Sequence, residues 1–379
     1  MEFSPRLPAE SRDVRAAGGQ RERPDLLQPR RLGVPHLDFH PPPNAPAPAV
    51  SGSSCIGQCG VAATAAEVIA SGAMHAWYCA LLLALASCGT AAQAPGQAAK
   101  QPPPGEPAWV DPDKGEPAGT KYQTFFSKTV GADVSYVIYL PAEYEAAGQK
   151  RFPVVYWLHG LGGNQRGGAV FVSVLNEAIK AGRAPAMIAV LVNGMRDSRY
   201  VDSADGQRPV ETVIVKDLLA HIDNAYRTTG SREGRAIEGY SMGGFGAARL
   251  GFKFPDLFGA VSIMAGALMD DESAPSTRPE LFQKNFGGDL KYFRAASPWT
   301  LVENNADGIR GRTFVRIGVG KEDNLLERNE KYHKLLERLG IEHEFFVVPG
   351  VAHNGALFYK TLGADHFRFY QKAFAPGKK

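Results

Sequence analysis

The chain has 379 residues, 44% of them hydrophobic, so it is long enough to bury one large core or two or three smaller ones. Its 42 lysines and arginines against 39 aspartates and glutamates leave a net charge of +3 without a long run of like charge, which argues against nucleic acid as a partner. The four cysteines, Cys55, Cys59, Cys79 and Cys88, all lie in the first quarter. The remaining chain can therefore form neither an internal disulfide nor a thiolate metal site, and we predict no metal.

Residues 1–73 are not typical of a folded domain. The stretch around residues 35–48 is rich in proline, and no hydrophobic periodicity is visible. Such a composition does not bury enough apolar surface to offset the entropy lost on ordering. Two interpretations stay open: sequence translated from upstream of a true start at Met74, or a genuine disordered leader.

Residues 74–88 have the features of an export signal. The apolar stretch 76–86 is too short to cross a bilayer but has the length of a signal-peptide core. Its end, Leu-Ala-Ser-Cys at residues 85–88, resembles the lipobox of bacterial lipoproteins, although His75 stands where Lys or Arg is usual. The resemblance implies cleavage before Cys88, lipidation of Cys88, and an exported, membrane-anchored protein in the periplasm or at the cell surface. The alternative is a short buried helix. Residues 89–118, rich in Ala, Pro, Gly and Gln, favour a flexible tether.

Residues 119–379 alternate short β-rich apolar runs with helical patterns, which predicts an α/β domain with a mostly parallel sheet of about eight strands and helices on both faces. The predicted strands are Tyr122–Thr129, Val134–Leu140, Pro153–Leu158, Met187–Val192, Ala236–Glu238, Gly259–Met264, Thr313–Val319 and His343–Val348. The predicted helices are Val172–Ala181, Glu211–Tyr226, Met242–Phe254, Pro279–Asn285, Leu325–Leu339 and Ala364–Phe374.

A nucleophile motif lies between the fifth of these strands and the third helix. Residues 239–244 read Gly-Tyr-Ser-Met-Gly-Gly, a G-x-S-x-G match in the strand–turn–helix context that gives the pattern its meaning. Glycines on either side of the turn remove side chains that would clash across it. We therefore predict Ser241 as the nucleophile, against the alternative of a tight glycine turn with a capping serine.

A serine hydroxyl needs a base that is itself oriented by a carboxylate. In hydrolases with this strand–turn–helix motif, the chain order is Ser, then Asp or Glu, then His. Asp323 and His353 follow the last two predicted strands, where catalytic groups of parallel sheets gather. Glu322 is the rival of Asp323. The other histidines of the domain are expected to be ordinary surface or core residues: His333, His343 and His366.

The loop after the third strand is predicted to complete an oxyanion hole. Residues 159–164 read His-Gly-Leu-Gly-Gly-Asn, similar to the H-G-x-x-G stretch of hydrolases, and small residues let backbone N–H groups approach a substrate oxygen. We predict that the amides of Leu161 and Met242 are the donors and that His159 has a structural role. The alternative is a simple glycine-rich turn.

Together these motifs resemble the putative esterase family, which includes esterase D (S-formylglutathione hydrolase), feruloyl esterases and mycolyltransferases. The resemblance covers nearly all of the domain and implies an α/β-hydrolase fold, a Ser241–Asp323–His353 triad and no cofactor. The chain departs from it after His353, where Asn-Gly-Ala-Leu-Phe stands at residues 354–358 instead of an early aromatic residue.

We expect a serine carboxylic-ester hydrolase whose substrate is a small-molecule or saccharide ester: short acyl, feruloyl or acetyl esters of an extracytoplasmic alcohol or saccharide. An acyltransferase of the mycolyltransferase type, a thioesterase of the S-formylglutathione hydrolase type, and a binding module with an idle triad are the alternatives. Membrane contact is expected only through the lipid anchor, and the oligomeric state stays open.

Two segments are candidate substrate walls. Residues 193–208 offer Arg196, Arg199, Tyr200 and Asp202, and the alternative is a solvated loop. Residues 267–299 offer Phe282, Phe286, Tyr292 and Trp299, as the core of a lid or as an acyl pocket.

Overall fold

A computed structural model describes residues 109–375. The predicted leader, the signal segment with Cys88 and residues 89–108 of the predicted tether lie outside the described residues. Residues 109–118, predicted as the end of the tether, contact the domain, because Ser135 donates its backbone N–H to the carbonyl of Trp109 at 2.9 Å. None of the helices in the described part of the chain is long and apolar enough to cross a bilayer.

The domain is built on one eight-stranded sheet in the order β1-β2-β4-β3-β5-β6-β7-β8. The strands are β1 Thr120–Ser127, β2 Ala132–Tyr139, β3 Val154–Leu158, β4 Ile188–Val192, β5 Arg235–Tyr240, β6 Ala260–Met264, β7 Phe314–Gly320 and β8 His343–Val348. β2 runs antiparallel to both β1 and β4, and all other neighbours pair in parallel. The predicted α/β fold with a mostly parallel sheet is confirmed, and each strand lies within two residues of its predicted ends.

Helices cover both faces of the sheet. The longer ones are α1 Ala169–Lys180, α3 Met242–Lys253, α9 Leu326–Arg338, α10 Gly355–Leu362 and α11 Arg368–Ala373; α2 comprises Val210–Thr212, a π-helical stretch Val213–Leu218, and Leu219–Ala225. The segment between β6 and β7 forms five short helices: α4 Ser273–Thr277, α5 Pro279–Phe286, α6 Leu290–Ala296, α7 Pro298–Asn304 and α8 Ala306–Ile309. The predicted helix Ala364–Phe374 is instead a 3-10 turn, Gly363–Phe367, followed by α11.

The central strands read as continuous apolar runs because both of their faces are buried. Alternate residues of β3 enter different cores: Tyr156 packs in the core beneath α2 and α3, whereas Trp157 packs in the core beneath α1 and α10. Parallel pairing places the carboxyl ends of β3 to β8 at one edge of the sheet. The loops that carry the candidate site residues all leave from that edge.

Candidate active site

The turn that carries Ser241 is sharply bent, as the motif predicts. Ser241 has φ 60° and ψ −114°, a conformation that L-residues rarely adopt, between the end of β5 and the start of α3. A side chain at either flanking glycine would collide with backbone. A Cβ on Gly239 would lie 2.2 Å from the Gly243 carbonyl oxygen, and one on Gly243 would lie 2.0 Å from the Leu158 carbonyl oxygen. Both positions therefore require glycine.

The structure brings Ser241, His353 and Asp323 together in one hydrogen-bonded chain. His353 Nε2 lies 2.9 Å from Ser241 Oγ, and His353 Nδ1 lies 2.8 Å from Asp323 Oδ2. The Asp323 side chain is fully buried, and its second oxygen accepts the backbone N–H of Leu325 at 2.8 Å. The carboxylate is thus held at both oxygens, whereas His353 remains about one-third exposed and accessible to substrate and water.

The rival residues lie elsewhere or face away. Glu322 is exposed, and Asp323 is the carboxylate that contacts the imidazole. His343 begins β8 at the other end of that strand and contacts His333 of α9 at 2.7 Å. His366 is buried and contacts Glu238 at 2.8 Å.

The glycine-rich loop after β3 passes directly beside Ser241. A Cβ on Gly160 would lie 3.5 Å from Ser241 Cβ and 4.0 Å from Ser241 Oγ. The loop is held by backbone hydrogen bonds from Gly162 to the Arg196 carbonyl at 2.7 Å and from Gly163 to the Gly160 carbonyl at 3.1 Å. The N–H of Leu161 donates to no other residue between 109 and 375. The N–H of Met242, the first residue of α3, has no partner within its own helix.

The family model for putative esterases matches residues 127–379, which contain the triad and both loops. The chain belongs to this esterase family. Esterase Rv1288 of Mycobacterium tuberculosis H37Rv is 28% identical over 254 residues, a match that covers 60% of this chain and 54% of that relative. The match therefore spans about half the length of that curated relative. The endo-1,4-beta-xylanase/feruloyl esterase of Xylanibacter ruminicola is 27% identical over 151 residues, or 38% of this chain and 21% of that one.

Solved structures agree with the family assignment. A ferulic acid esterase superposes with a TM-score of 0.58 at 26% identity, covering 67% of this chain and 98% of that one. An S-formylglutathione hydrolase from Agrobacterium tumefaciens superposes with a TM-score of 0.56 at 20% identity, covering 68% and 95%, and shares the fold. The matched domain is a carboxylic ester hydrolase domain with an α/β-hydrolase fold.

In this member of the esterase family, His159 packs against the glycine-rich loop after β3 and hydrogen-bonds none of Ser241, His353 and Asp323. Its Nδ1 donates to the Gly160 carbonyl at 2.9 Å, and its Nε2 is buried without a hydrogen-bond partner among the described residues. Burial lowers the pKa of His159 to about 4. The ring is therefore neutral at physiological pH.

Tyr240, which sequence reasoning did not single out, packs against the base. Its ring centroid lies 5.1 Å from that of His353. Burial and, next, the charge of Asp323 raise the pKa of Tyr240. Its neutral ring, with Trp157, Tyr359 and the loop from Gly160 to Gly163, encloses a cavity of about 150 Å³ beside the oxyanion loop. The only sequence signal for this contact of Tyr240 was its position immediately before Ser241.

The loop 193–208 is largely buried, contrary to a solvated loop. Tyr200 is fully buried and its hydroxyl donates to the His159 carbonyl at 2.9 Å. Asp202 accepts the backbone N–H of Thr212 at 3.0 Å and the Thr212 hydroxyl at 2.6 Å. Both side chains are thus committed to structure and not to substrate. Arg196 is exposed and Arg199 is buried at the same edge.

The inserted segment 267–299 has its own small core. Phe282 and Phe286 pack with Phe293, and their cluster also includes Val201 and Phe245 of the main domain. Tyr292 and Trp299 are likewise engaged in packing, Tyr292 through a hydrogen bond to the Asp202 carbonyl at 2.9 Å and Trp299 edge-on to Tyr332. Phe282, Phe286 and Tyr292 thus form the core of this segment, which we call the cap, whereas Trp299 packs against the main core. Across residues 109–375, no group of three His, Cys, Asp or Glu side chains is placed to hold a metal ion.

Proposed function

We propose that Ser241, His353 and Asp323 are the catalytic triad of this carboxylic ester hydrolase. The observation that carries the proposal is the hydrogen-bonded chain from Ser241 Oγ through both ring nitrogens of His353 to Asp323 Oδ2, with distances of 2.9 and 2.8 Å. Nucleophile, base and orienting carboxylate are all within hydrogen-bond reach, as acyl transfer requires.

The reaction proceeds through an acyl-enzyme. His353 Nε2 takes the Ser241 proton while Oγ attacks the ester carbonyl, and then protonates the leaving alcohol. Water activated by the same imidazole releases the acid and regenerates the serine. Asp323 holds the proton-bearing Nδ1 and stabilises the imidazolium that forms in each half-reaction.

The amides of Leu161 and Met242 form the proposed oxyanion hole. The Leu161 N–H is free in the described structure, and the Met242 N–H opens α3, where the helix dipole favours negative charge. Each such donor is worth about 3 kcal/mol of transition-state stabilisation.

Short acyl groups and single aromatic acids, including acetyl and feruloyl groups, are the proposed acyl substrates, on an alcohol or saccharide. A cavity of about 150 Å³ adjoins Gly160 and Leu161 and has aromatic walls. An apolar space of about this volume holds a benzene-sized ligand. The likeness to a ferulic acid esterase at 26% identity supports the same range.

The test is an ester panel on wild type and on Ser241→Ala, with acetyl, butyryl, octanoyl and feruloyl esters. Ser241→Ala is expected to lose hydrolysis of every ester and labelling by a fluorophosphonate, because both need the same oxygen. The matched control is Ser276→Ala, an exposed serine of α4, which should keep both. Wild-type turnover by Ser241→Ala would refute the triad, and acyl transfer to an added alcohol in place of free acid would identify an acyltransferase.

We further propose export and lipidation at Cys88. The support is the apolar stretch 76–86 followed by Leu-Ala-Ser-Cys. In a bacterial host the full chain is expected to incorporate radiolabelled palmitate and to partition into detergent, whereas Cys88→Ala should do neither. Equal labelling of Cys79→Ala and loss only with Cys88→Ala would assign the site, and an unlabelled wild type would refute it.

A further inference from the structure

Arg199 is a buried cation without a partner. It exposes 5% of its surface, yet its guanidinium makes no hydrogen bond or ion pair with any residue between 109 and 375. The other buried arginines are paired: Arg249 with Glu211, and Arg316 with Glu238. None of its nitrogens is sealed from solvent, so the end of this largely buried side chain stays accessible, and a poorly solvated cation without a protein anion is suited to an anionic ligand.

Two further unpaired arginines lie near it. Arg278, between α4 and α5, and Arg328, in the first turn of α9, also have no side-chain hydrogen bond or ion pair in the described chain. Burial and then the positive charges of Arg278 and Arg328 lower the pKa of Arg199 to about 10. The acidic residue on which Arg328 acts, Asp270, already accepts the N–H and hydroxyl of Ser273 at 2.9 and 2.6 Å.

Packing contacts link the segments that carry Arg199 and Arg278, and the Arg199 loop also contacts the glycine-rich loop beside Ser241 through the Gly162 N–H and the Arg196 carbonyl at 2.7 Å. Val201, two residues after Arg199, shares the small core of the cap with Phe282, whose N–H donates to the Arg278 carbonyl at 3.0 Å. The cap thus joins the Arg199 loop to Arg278.

A second chain of contacts leads from Arg328 to the nucleophile. The side chain of Asn329, next to Arg328, hydrogen-bonds both the N–H and the carbonyl of Gly266 at 3.0 Å. The next residue, Ala267, donates to the Ser241 carbonyl at 2.9 Å. Arg328 therefore lies on an element that is hydrogen-bonded to the segment touching Ser241.

We propose that Arg199, Arg278 and Arg328 form a carboxylate-binding subsite that selects esters carrying a negative charge. This inference rests on the proposed function of Ser241. A planar guanidinium donates two parallel hydrogen bonds to a carboxylate, and the two neighbouring cations add attraction, although Arg328 also attracts Asp270. The carboxylate belongs either to the acyl group, as in a dicarboxylic half-ester, or to the alcohol, as in a uronic or hydroxybenzoic acid.

Two pairs of substrates distinguish these sources. The acyl pair is the 4-nitrophenyl half-ester of adipic acid and 4-nitrophenyl hexanoate; the alcohol pair is 3-acetoxybenzoate and 3-acetoxybenzamide. Wild type is expected to prefer the charged member of one pair, measured as the ratio of kcat/KM values. Arg199→Met should lower that ratio by at least about thirtyfold, because it removes a buried partner of the charge. Arg199→Lys should keep part of the preference.

Arg328→Ala, at a half-buried position, provides a second variant that does not depend on replacing a fully buried side chain, and it should lower the same ratio. The matched control is Arg310→Met, whose exposed side chain pairs with Asp307 and should leave the ratio unchanged. Equal ratios in wild type, Arg199→Met and Arg328→Ala for both pairs would overturn the subsite.

A binding measurement separates this outcome from failure of the triad. If no ester is hydrolysed, the proposed role of Ser241 fails, but calorimetric titration with adipate and benzoate still tests the arginines. Binding of either anion to wild type with loss in Arg199→Met supports the subsite, and absence of binding to wild type overturns it.

Discussion

Replacing His159 with asparagine should make the esterase less sensitive to mild acid. His159 donates from Nδ1 to the Gly160 carbonyl at 2.9 Å, while Nε2 is buried without a partner among the described residues. Asparagine can supply the same N–H donor from its Nδ2 but cannot take up a proton. Protonation of the wild-type ring would place a charge in a fully buried position, which opposes the native state.

The magnitude follows from the pKa of His159, which burial lowers from 6.5 to about 4. The unfolded chain binds the proton below pH 6.5 and the native state only near pH 4, so stability is complete above about 6.5 and falls as the pH decreases through this window. Each pKa unit is worth about 1.4 kcal/mol, so the full loss is about 3 kcal/mol. At pH 5, about 2 kcal/mol of it is already lost.

The assay is urea unfolding of wild type, His159→Asn and His159→Gln at pH 7.5 and pH 5. The other histidines contribute equally to all three proteins, so the difference in unfolding free energy between the two pH values isolates His159. Both variants should show a difference smaller than that of wild type by about 2 kcal/mol. An identical acid loss in wild type and both variants would refute the assignment of a neutral, buried His159.

Three further substitutions test the site and its support. Gly243→Ala should abolish activity and destabilise the fold, because its Cβ would lie 2.0 Å from the Leu158 carbonyl oxygen. Arg316→Met should lower the free energy of unfolding by about 3–5 kcal/mol, since it leaves the fully buried Glu238 carboxylate, 2.9 Å away, without its cation. Asp323→Asn should reduce kcat about 10⁴-fold with little change in the folded structure, because the amide no longer fixes the imidazole tautomer.

Each of these predictions has a matched control variant or an outcome that would contradict it. Gly308→Ala, where the nearest atom lies 3.4 Å from the new Cβ, should change unfolding by at most about 1 kcal/mol. Arg312→Met breaks an exposed pair with Asp256 and a long hydrogen bond to the Gly308 carbonyl at 3.4 Å, and should cost about 1 kcal/mol or less. Equal unfolding midpoints for Gly243→Ala and Gly308→Ala, or for Arg316→Met and Arg312→Met, would contradict the packing argument. An Asp323→Asn enzyme with wild-type kcat would contradict the role of the carboxylate.

The sheet and the turn at Ser241 were predictable because their signals are local in the sequence. Continuous apolar runs mark strands that are buried on both faces. The Gly-x-Ser-x-Gly spacing itself predicts the tight turn, in which a Cβ on Gly239 would collide with the Gly243 carbonyl. Chain order and position after a strand favoured Asp323 and His353 but left Glu322 as a rival. The structure places Asp323 against the His353 ring and His353 against the Ser241 oxygen. Their catalytic role remains a prediction to be tested.

Helix α10 was missed although it has a local signal. Asn354 caps it and accepts the Leu357 N–H at 2.9 Å. At the level of the sequence, residues 354–358 were considered only as the residues that follow His353. The cap was harder, because its five short helices are held by contacts between residues far apart in sequence, such as Phe286 with Phe245. The burial of Arg199 could not be read from the sequence, since an arginine in a polar loop favours solvent until tertiary packing covers it.

Two of the strands that lead to the proposed triad, β5 and β7, are tied together through β6 by a buried polar row. Glu238 of β5, Ser262 of β6 and Arg316 of β7 are directly paired neighbours across the sheet. Ser262 Oγ donates to the Glu238 carboxylate at 2.8 Å and accepts from Arg316 Nε at 2.9 Å, and Arg316 also donates to the carboxylate at 2.9 Å. Burial opposes ionisation of Glu238, but the charges of His366 and Arg316 outweigh it and hold its pKa below the usual range.

This row fixes the relative position of the two strand ends that matter for the proposed chemistry. Ser241 follows Glu238 by three residues, and Asp323 lies seven residues beyond Arg316 at the end of β7. A shift of β7 against β5 would separate Asp323 from the imidazole and would also break the buried ion pair. Loss of the Asp323 contact therefore carries the free-energy cost of breaking that pair. The buried ion pair that holds β5 and β7 in register therefore also keeps Asp323 in place beside His353.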